Sequence, residues 1–348
     1  MIPSSLRAVF DEAVDDGLAT GWQVYAEGRH GVISGAGGVD GLGREMRSDS
    51  LIRPYCAIKP LLAMTIATLV DDGELSFEDR LSDLMPVPGH WPAVTVEDLL
   101  RHRSGIGRPS AIEISAMPPD ERSAAVLKAP LCVPPLGVRE TYYSEAVTWI
   151  VLAAALEELT GEDVCELARA RVLKPAGLAD EFDLADEVDQ QRLAVNVALR
   201  KGRRWPLLIE RTPLLGWTHN PGYGGAATVK GLVGLAREQH LSTRGDGLVS
   251  QSVAQQMTAQ SPRRRDRVLQ LDLSYGLGWM VDMSQMDFGP SISDSAYGHV
   301  GLTGMTAIWV DPEAELWAGY HINGFTDGQT AVGWLRPRVS RAMMKAAS

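Results

Sequence analysis

The runs that favour strand stand at the two ends of this chain, and the runs that favour helix lie between them. Near the N-terminus, GWQVYAEG and GVISGAGGVD are short, partly alternating and bounded by glycine, which is the pattern of a hairpin. Near the other end, GMTAIWVDPEAELWAGYHING reads as two β-rich runs around an Asp311-Pro312 turn. The economical topology is one antiparallel sheet built from both termini, with a helical unit inserted in the middle. The 348 residues are too many for one small core and suit two packed units. We expect a discontinuous sheet domain over 1–65 and 220–348, a mainly helical domain over 66–219, and an active site at their interface.

The helical middle is punctuated. Residues 6–17 read as a first helix. From Pro60 to Asp71 the apolar residues Leu61, Leu62, Ile66, Leu69 and Val70 recur at helical spacing, and Gly73 stops the run. TVEDLLRH reads as a helix with Thr95 as its N-cap. Residues 145–160 are almost wholly apolar and end at Gly161. GEDVCELARARVLKPAGL continues helically as far as Lys174-Pro175, and TVKGLVGLAREQHL is one more helix. The sequence contains no internal repeat and no low-complexity segment.

Charge and cysteine usage narrow the classes. A net charge of −11 argues against nucleic acid and anionic membrane as partners. No apolar run reaches the roughly 18 residues of a membrane-spanning helix. The acidic, amphipathic start MIPSSLRAVFDEAVDDG lacks the basic opening and apolar core of a secretory signal, so a cytoplasmic location is expected. The three cysteines, Cys56, Cys132 and Cys165, fit reduced thiols. The histidines are scattered and no Cys/His cluster has metal spacing, so neither a metal nor another cofactor is expected.

Chemistry points to Cys56-Ala57-Ile58-Lys59. On a helix, residues three apart share a face. A cysteine in the first turn gains from the helix dipole, which favours thiolate, and Lys59 brings an amine close to the sulfur. Cys165, beside Leu167 in a helix, reads as core.

The longer stretch LIRPYCAIKPLLAMTIATLVDDGELSFEDRLSDLMP resembles the first motif of the penicillin-recognising serine hydrolases: class C β-lactamases, DD-peptidases, and related esterases and transacylases. Their S-x-x-K serine is acylated, and here cysteine stands in its place. VTVEDLLRHRSGIG, LTGEDVCELARARVLKPAGLAD, NPGYGGAATVKGLVGLA, SYGLGW and YGHVGLTGMTAIWVDPEAELWAGYHING resemble further family stretches, in order along nearly the whole chain. The resemblance implies a β-lactamase-like α/β (α+β) fold. It implies that Tyr143-Ser144-Glu145 stands at the Y-x-N motif, with glutamate replacing asparagine; Tyr142 is the alternative tyrosine. It implies that His299-Val300-Gly301 is the third motif and that the N–H groups of Leu302 and Cys56 form an oxyanion hole. Gly301 would leave room for substrate along the strand edge. His299 lacks the permanent charge of the lysine many members carry, which weakens any grip on a carboxylate. Glu145 would bind a substrate ammonium or deprotonate an amine. Trp217, Tyr223, Trp279 and Trp309 are candidates for an apolar acyl pocket.

Three readings of Cys56 compete: a nucleophile, a lapsed site kept as a binding module, and an introduced replacement of serine. With Lys59, Tyr143, His299 and Gly301 all in place, the first is favoured. Thiolate forms far more readily near neutral pH than alkoxide. Amines attack thioesters readily, whereas water attacks them little faster than it attacks esters. The expectation is a transacylase that moves an acyl group from an ester or thioester donor to an amine without ATP, as some natural-product enzymes of the family do. A hydrolase of the esterase type is the alternative, and a catalytically inactive module the third reading. The expected partners are a small-molecule acyl donor and an amine acceptor.

Overall fold

The computed structural model describes residues 2–89, 91, 93–106, 108–129, 140–200, 203–281, 283–324 and 329–347. The strand runs at the two ends do meet. Strands β1 (Gly21–Gly28), β2 (Gly31–Gly38), β3 (Tyr297–Val300), β4 (Thr306–Asp311) and β5 (Leu316–Asn323) form one sheet in the order β3–β4–β5–β1–β2. Every pairing in it is antiparallel. The seam between the two ends of the chain is β1 against β5, in the register Gly21 to Asn323 and Tyr25 to Gly319.

The longer helices are α1 (Ser4–Asp15), α2 (Lys59–Asp71), α3 (Val147–Thr160), α4 (Val229–Thr243) and α5 (Gln329–Ala347). Alternation along the strands assigns them to two faces. Trp22, Val24 and Ala26 of β1 pack with Leu6 and Phe10 of α1 and with Leu335 and Val339 of α5. Phe10 stacks on Trp22 with ring centroids 4.9 Å apart. The intervening β4 residues Ile308 and Val310 join a second, larger core with α2, α3 and α4.

Local signals explain most boundaries. Thr95 and Asp98 form a reciprocal capping box on the short helix Val96–Leu100. Gly161 ends α3 in the left-handed region at φ 71°. Elsewhere the structure differs from expectation. α2 is buried on every face from Lys59 to Leu69, so it is a central core helix rather than a one-sided one. The helix expected after Gly161 is regular only over Val164–Ala168 and then widens into a π turn over Arg169–Leu173. A hairpin, Val197–Arg200 with Arg203–Pro206, was not foreseen. Cys132 lies outside the described residues. No helix among the described residues is long and apolar enough to cross a membrane.

Candidate active site

Cys56 does not lie in the first turn of α2. It lies in a tight 3-10 turn, Tyr55–Ile58, that runs directly into α2. In such a turn residues three apart eclipse, which sets Lys59 directly over Cys56. Tyr55 is held at φ +50°, a left-handed conformation that a residue with a Cβ adopts only under constraint. Cys56 is half-buried at the floor of the site, whereas Lys59 is fully buried.

The Lys59 ammonium is fixed from behind. Nζ donates to Glu145 O at 2.7 Å and to Gly222 O at 2.6 Å, and it also hydrogen-bonds with the Cys56 sulfur. Gly222 allows this approach, because a Cβ there would lie 2.5 Å from Glu145 O. Nζ also stands 5.4 Å from the ring centroids of Tyr143 and of Trp149. Burial pulls the lysine below its usual pKa, while the nearby Cys56 and Glu145 charges oppose that pull.

Tyr143 is the tyrosine that meets the sulfur. It is buried, lines the cleft over Cys56 and hydrogen-bonds with it. Burial, and then the negative charge Cys56 would carry, push its hydroxyl well above the usual tyrosine range, so it stays protonated near neutral pH. Tyr142 donates its backbone N–H to His102 O at 2.9 Å. The side chain of Glu145 is exposed and stands at the mouth of the site.

His299 is buried, with Nδ1 3.0 Å from Val300 O. Burial and the neighbouring Lys59 charge pull its pKa down to about 3, so the ring is neutral. Its centroid is 6.5 Å from that of Tyr143, and it lines neither cleft described below; strand alternation turns the next residue, Val300, toward the cleft instead. His299 therefore stands beside Tyr143 and off both cleft linings. A Cβ at Gly301 would fall 2.3 Å from Pro54 O, so the missing side chain makes room for the Cys56 turn, and Gly301 also lines the first cleft.

Two clefts meet at the sulfur. One, of about 580 Å³, runs past Tyr143, Leu269, Leu271 and Met286 toward Arg336. The other, of about 620 Å³, is walled by Tyr55, Ile209, Leu214, Leu215 and Tyr223. Cys56, Glu145 and Leu302 line both. Of the four aromatics proposed for an acyl pocket, Tyr223 lines the second cleft, whereas Trp217, Trp279 and Trp309 are core. Cys165 is core as well: burial pushes its thiol up to about 12, and its sulfur lies 2.9 Å from Thr218 Oγ1.

Sequence reasoning missed His102. It is buried at φ +56°, its Nδ1 accepts the Ser144 N–H at 3.1 Å, and its ring packs 4.7 Å from Tyr143. It fixes the turn that presents Tyr143 and Glu145. The only signal was a histidine at the end of the LLRHRSG helix, and nothing in that pattern points to a tyrosine 41 residues on.

A sheet of both termini, a core helix opening on a Cys-x-x-Lys turn, and a tyrosine and strand end converging on the sulfur define a protein of the β-lactamase-like class. The chain belongs to the Beta-lactamase family, which matches residues 6–339. It is 30% identical over 204 residues to Esterase EstB of Burkholderia gladioli, an alignment covering 51% of each chain. The chain spans about half the length of the curated relatives it matches. In fold it is similar to EstCE1, described as a hydrolase with promiscuous acyltransferase activity (TM-score 0.79, 17% identity, covering 98% of this chain and 97% of that one). It is also similar to a D-amino acid amidase from Ochrobactrum anthropi (TM-score 0.80, 17% identity, 98% of each chain covered).

Proposed function

We propose that this protein is an acyl-transfer enzyme whose nucleophile is Cys56, and that its acceptor is an amine. The observation that carries the reading is the junction: one sulfur, backed by Lys59 and Tyr143, at the meeting point of two clefts. In the first half-reaction the sulfur attacks the carbonyl carbon of an ester or thioester donor. A C–S bond forms, the donor's C–O or C–S bond breaks, and the alcohol or thiol leaves with a proton relayed through Tyr143 and Lys59. The N–H groups of Cys56 and Leu302 hold the oxyanion. In the second half-reaction an amine attacks the thioester, the amide forms, and the Cys56 thiol is restored by the amine's proton. The apolar walls of Ile209, Leu214 and Leu215 suit the acyl chain. Glu145, at the junction, suits the ammonium form of the acceptor and takes its proton.

A hydrolase using the same residues with water as acceptor is the second reading, and the esterase among the relatives favours it. Intact-protein mass spectrometry separates the two. The wild type and Cys56→Ala are incubated with methyl esters, thioesters and a penicillin, with and without an amine. The expected result is an adduct that requires Cys56 and is discharged faster by amine than by water. Discharge at one rate with and without amine identifies the hydrolase. No adduct and no turnover from any donor identifies a binding module.

A further inference from the structure

Behind the site runs a chain of buried polar groups that the acyl-transfer steps do not use. Glu210, Asn196, His321 and Thr306 are all fully buried. Glu210 Oε2 accepts the Asn196 backbone N–H at 2.7 Å, and Oε1 accepts Asn196 Nδ2 at 2.9 Å together with the Tyr55 hydroxyl. A carboxylate only accepts, so the amide nitrogen of Asn196 faces Glu210 and its Oδ1 faces away. That oxygen lies 3.1 Å from His321 Nε2, which therefore carries the ring proton; Nδ1 then accepts from Thr306 Oγ1 at 2.9 Å. Every donor along the chain points toward Glu210. Buried Arg53 completes the anchor: Nε and Nη2 donate to Glu210 O at 3.0 and 2.6 Å, and Nη1 donates to Leu215 O at 2.9 Å.

The two ends of this chain carry the consequence. At one end is Tyr55, the left-handed residue immediately before Cys56. At the other is Thr306, whose carbonyl accepts the Gly301 N–H at 2.8 Å, immediately before Leu302. We propose that Glu210 is a positioning residue, whose buried carboxylate holds the Cys56 turn and the Gly301–Leu302 strand end at the spacing that aims their two N–H groups at one oxyanion. This rests on the acyl-transfer reading. The turn and the strand end touch directly at Pro54 O, so a shift of either is felt by the other. Three hydrogen bonds on the buried carboxylate leave the assembly little freedom to relax.

The test compares two reactions of the same sulfur. Acylation by a p-nitrophenyl ester develops an oxyanion; alkylation by iodoacetamide displaces iodide at a saturated carbon and develops none. Both are followed by intact mass on the full chain, with thermal melting as the check on folding. Glu210→Gln should slow acylation by about tenfold to hundredfold, the scale of a sub-ångström to 1 Å misplacement, through kcat rather than KM, with alkylation unchanged. Tyr55→Phe, which deletes one donor and keeps the ring, should give a smaller loss in the same direction and covers the case in which Glu210→Gln fails to fold. Equal acylation by the variants and wild type overturns the proposal, and so does a parallel loss of alkylation. A wild type that is alkylated but never acylated overturns the acyl-transfer reading instead.

Discussion

Gly301→Ala tests the contact between the two halves of the site, and the structure sets its size. The glycine sits at φ −90°, which alanine adopts freely, so the backbone conformation itself imposes no penalty. The added methyl would lie 2.3 Å from Pro54 O, and real Cβ contacts essentially never fall under 3.0 Å, so 3.0 − 2.3 gives a forced separation of at least 0.7 Å. The strand end cannot simply retreat. The added methyl would also stand 3.2 Å from Thr306 Cβ, and the Gly301 N–H is tied to Thr306 O. Overpacking of this kind costs about 1–3 kcal/mol, which appears as a lower melting temperature. Pro54 caps the turn that carries Cys56, two residues before it, so the movement is passed to that turn. A misplacement of about 1 Å costs about a hundredfold in rate, so the expected loss in acylation kcat is on the order of tenfold to hundredfold with KM little changed. The assay is pre-steady-state acylation by intact mass, beside a calorimetric melt. An alanine variant that acylates at the wild-type rate and melts at the wild-type temperature would refute the close packing of the strand end on the Cys56 turn.

Three further outcomes are expected. Lys59→Met leaves Glu145 O and Gly222 O without their donor; each stranded carbonyl costs about 1–3 kcal/mol, partly offset because an ammonium is no longer buried, so denaturant titration should show net destabilisation together with loss of the acyl adduct. His299 and His321 are both held down to about 3, against an ordinary value of about 6.5 in the unfolded chain. The unfolded state therefore binds the extra protons first: stability should be undiminished above about pH 6.5 and fall between about 6.5 and 3, with a limiting slope near 1.4 kcal/mol per pH unit for each ring, and His321→Gln should flatten the curve measured by urea unfolding. Ala116→Trp places bulk in the second cleft from an exposed position; in a series of esters of increasing acyl length, long donors should lose far more kcat/KM than acetyl donors, and an equal loss across the series would remove that cleft from acyl binding.

Much of the fold was legible because its signals are local. Glycine-bounded β runs gave the strands at both ends, Thr95 and Gly161 marked helix ends through caps that act within one turn, and both apolar stretches became α2 and α3. The strand pair Val197–Arg200 and Arg203–Pro206 escaped because its sequence carries no apolar alternation: the second strand is exposed throughout. The π turn after Ala168 escaped because helical spacing alone does not distinguish a turn of that width.

For the site, the sequence by itself determined the covalent facts: that a cysteine stands at position 56, that a lysine follows three residues on, that position 299 carries a histidine rather than a permanent cation, and that a carboxylate stands at position 145. These are properties of residue type and short spacing, which a linear reading can see. Tertiary structure decided everything that depends on burial and on approach from distant segments. It set Tyr143 against the Cys56 sulfur, packed His102 on that tyrosine, kept His299 off the cleft linings, and pressed Gly301 against Pro54 at the edge of the first cleft. It also joined Tyr55 to Glu210, 155 residues apart, and Asn196 to His321, 125 apart. No periodicity records such pairs. A buried hydrogen bond is satisfied by whichever segment the packed core delivers, and that is settled only when the chain closes on itself.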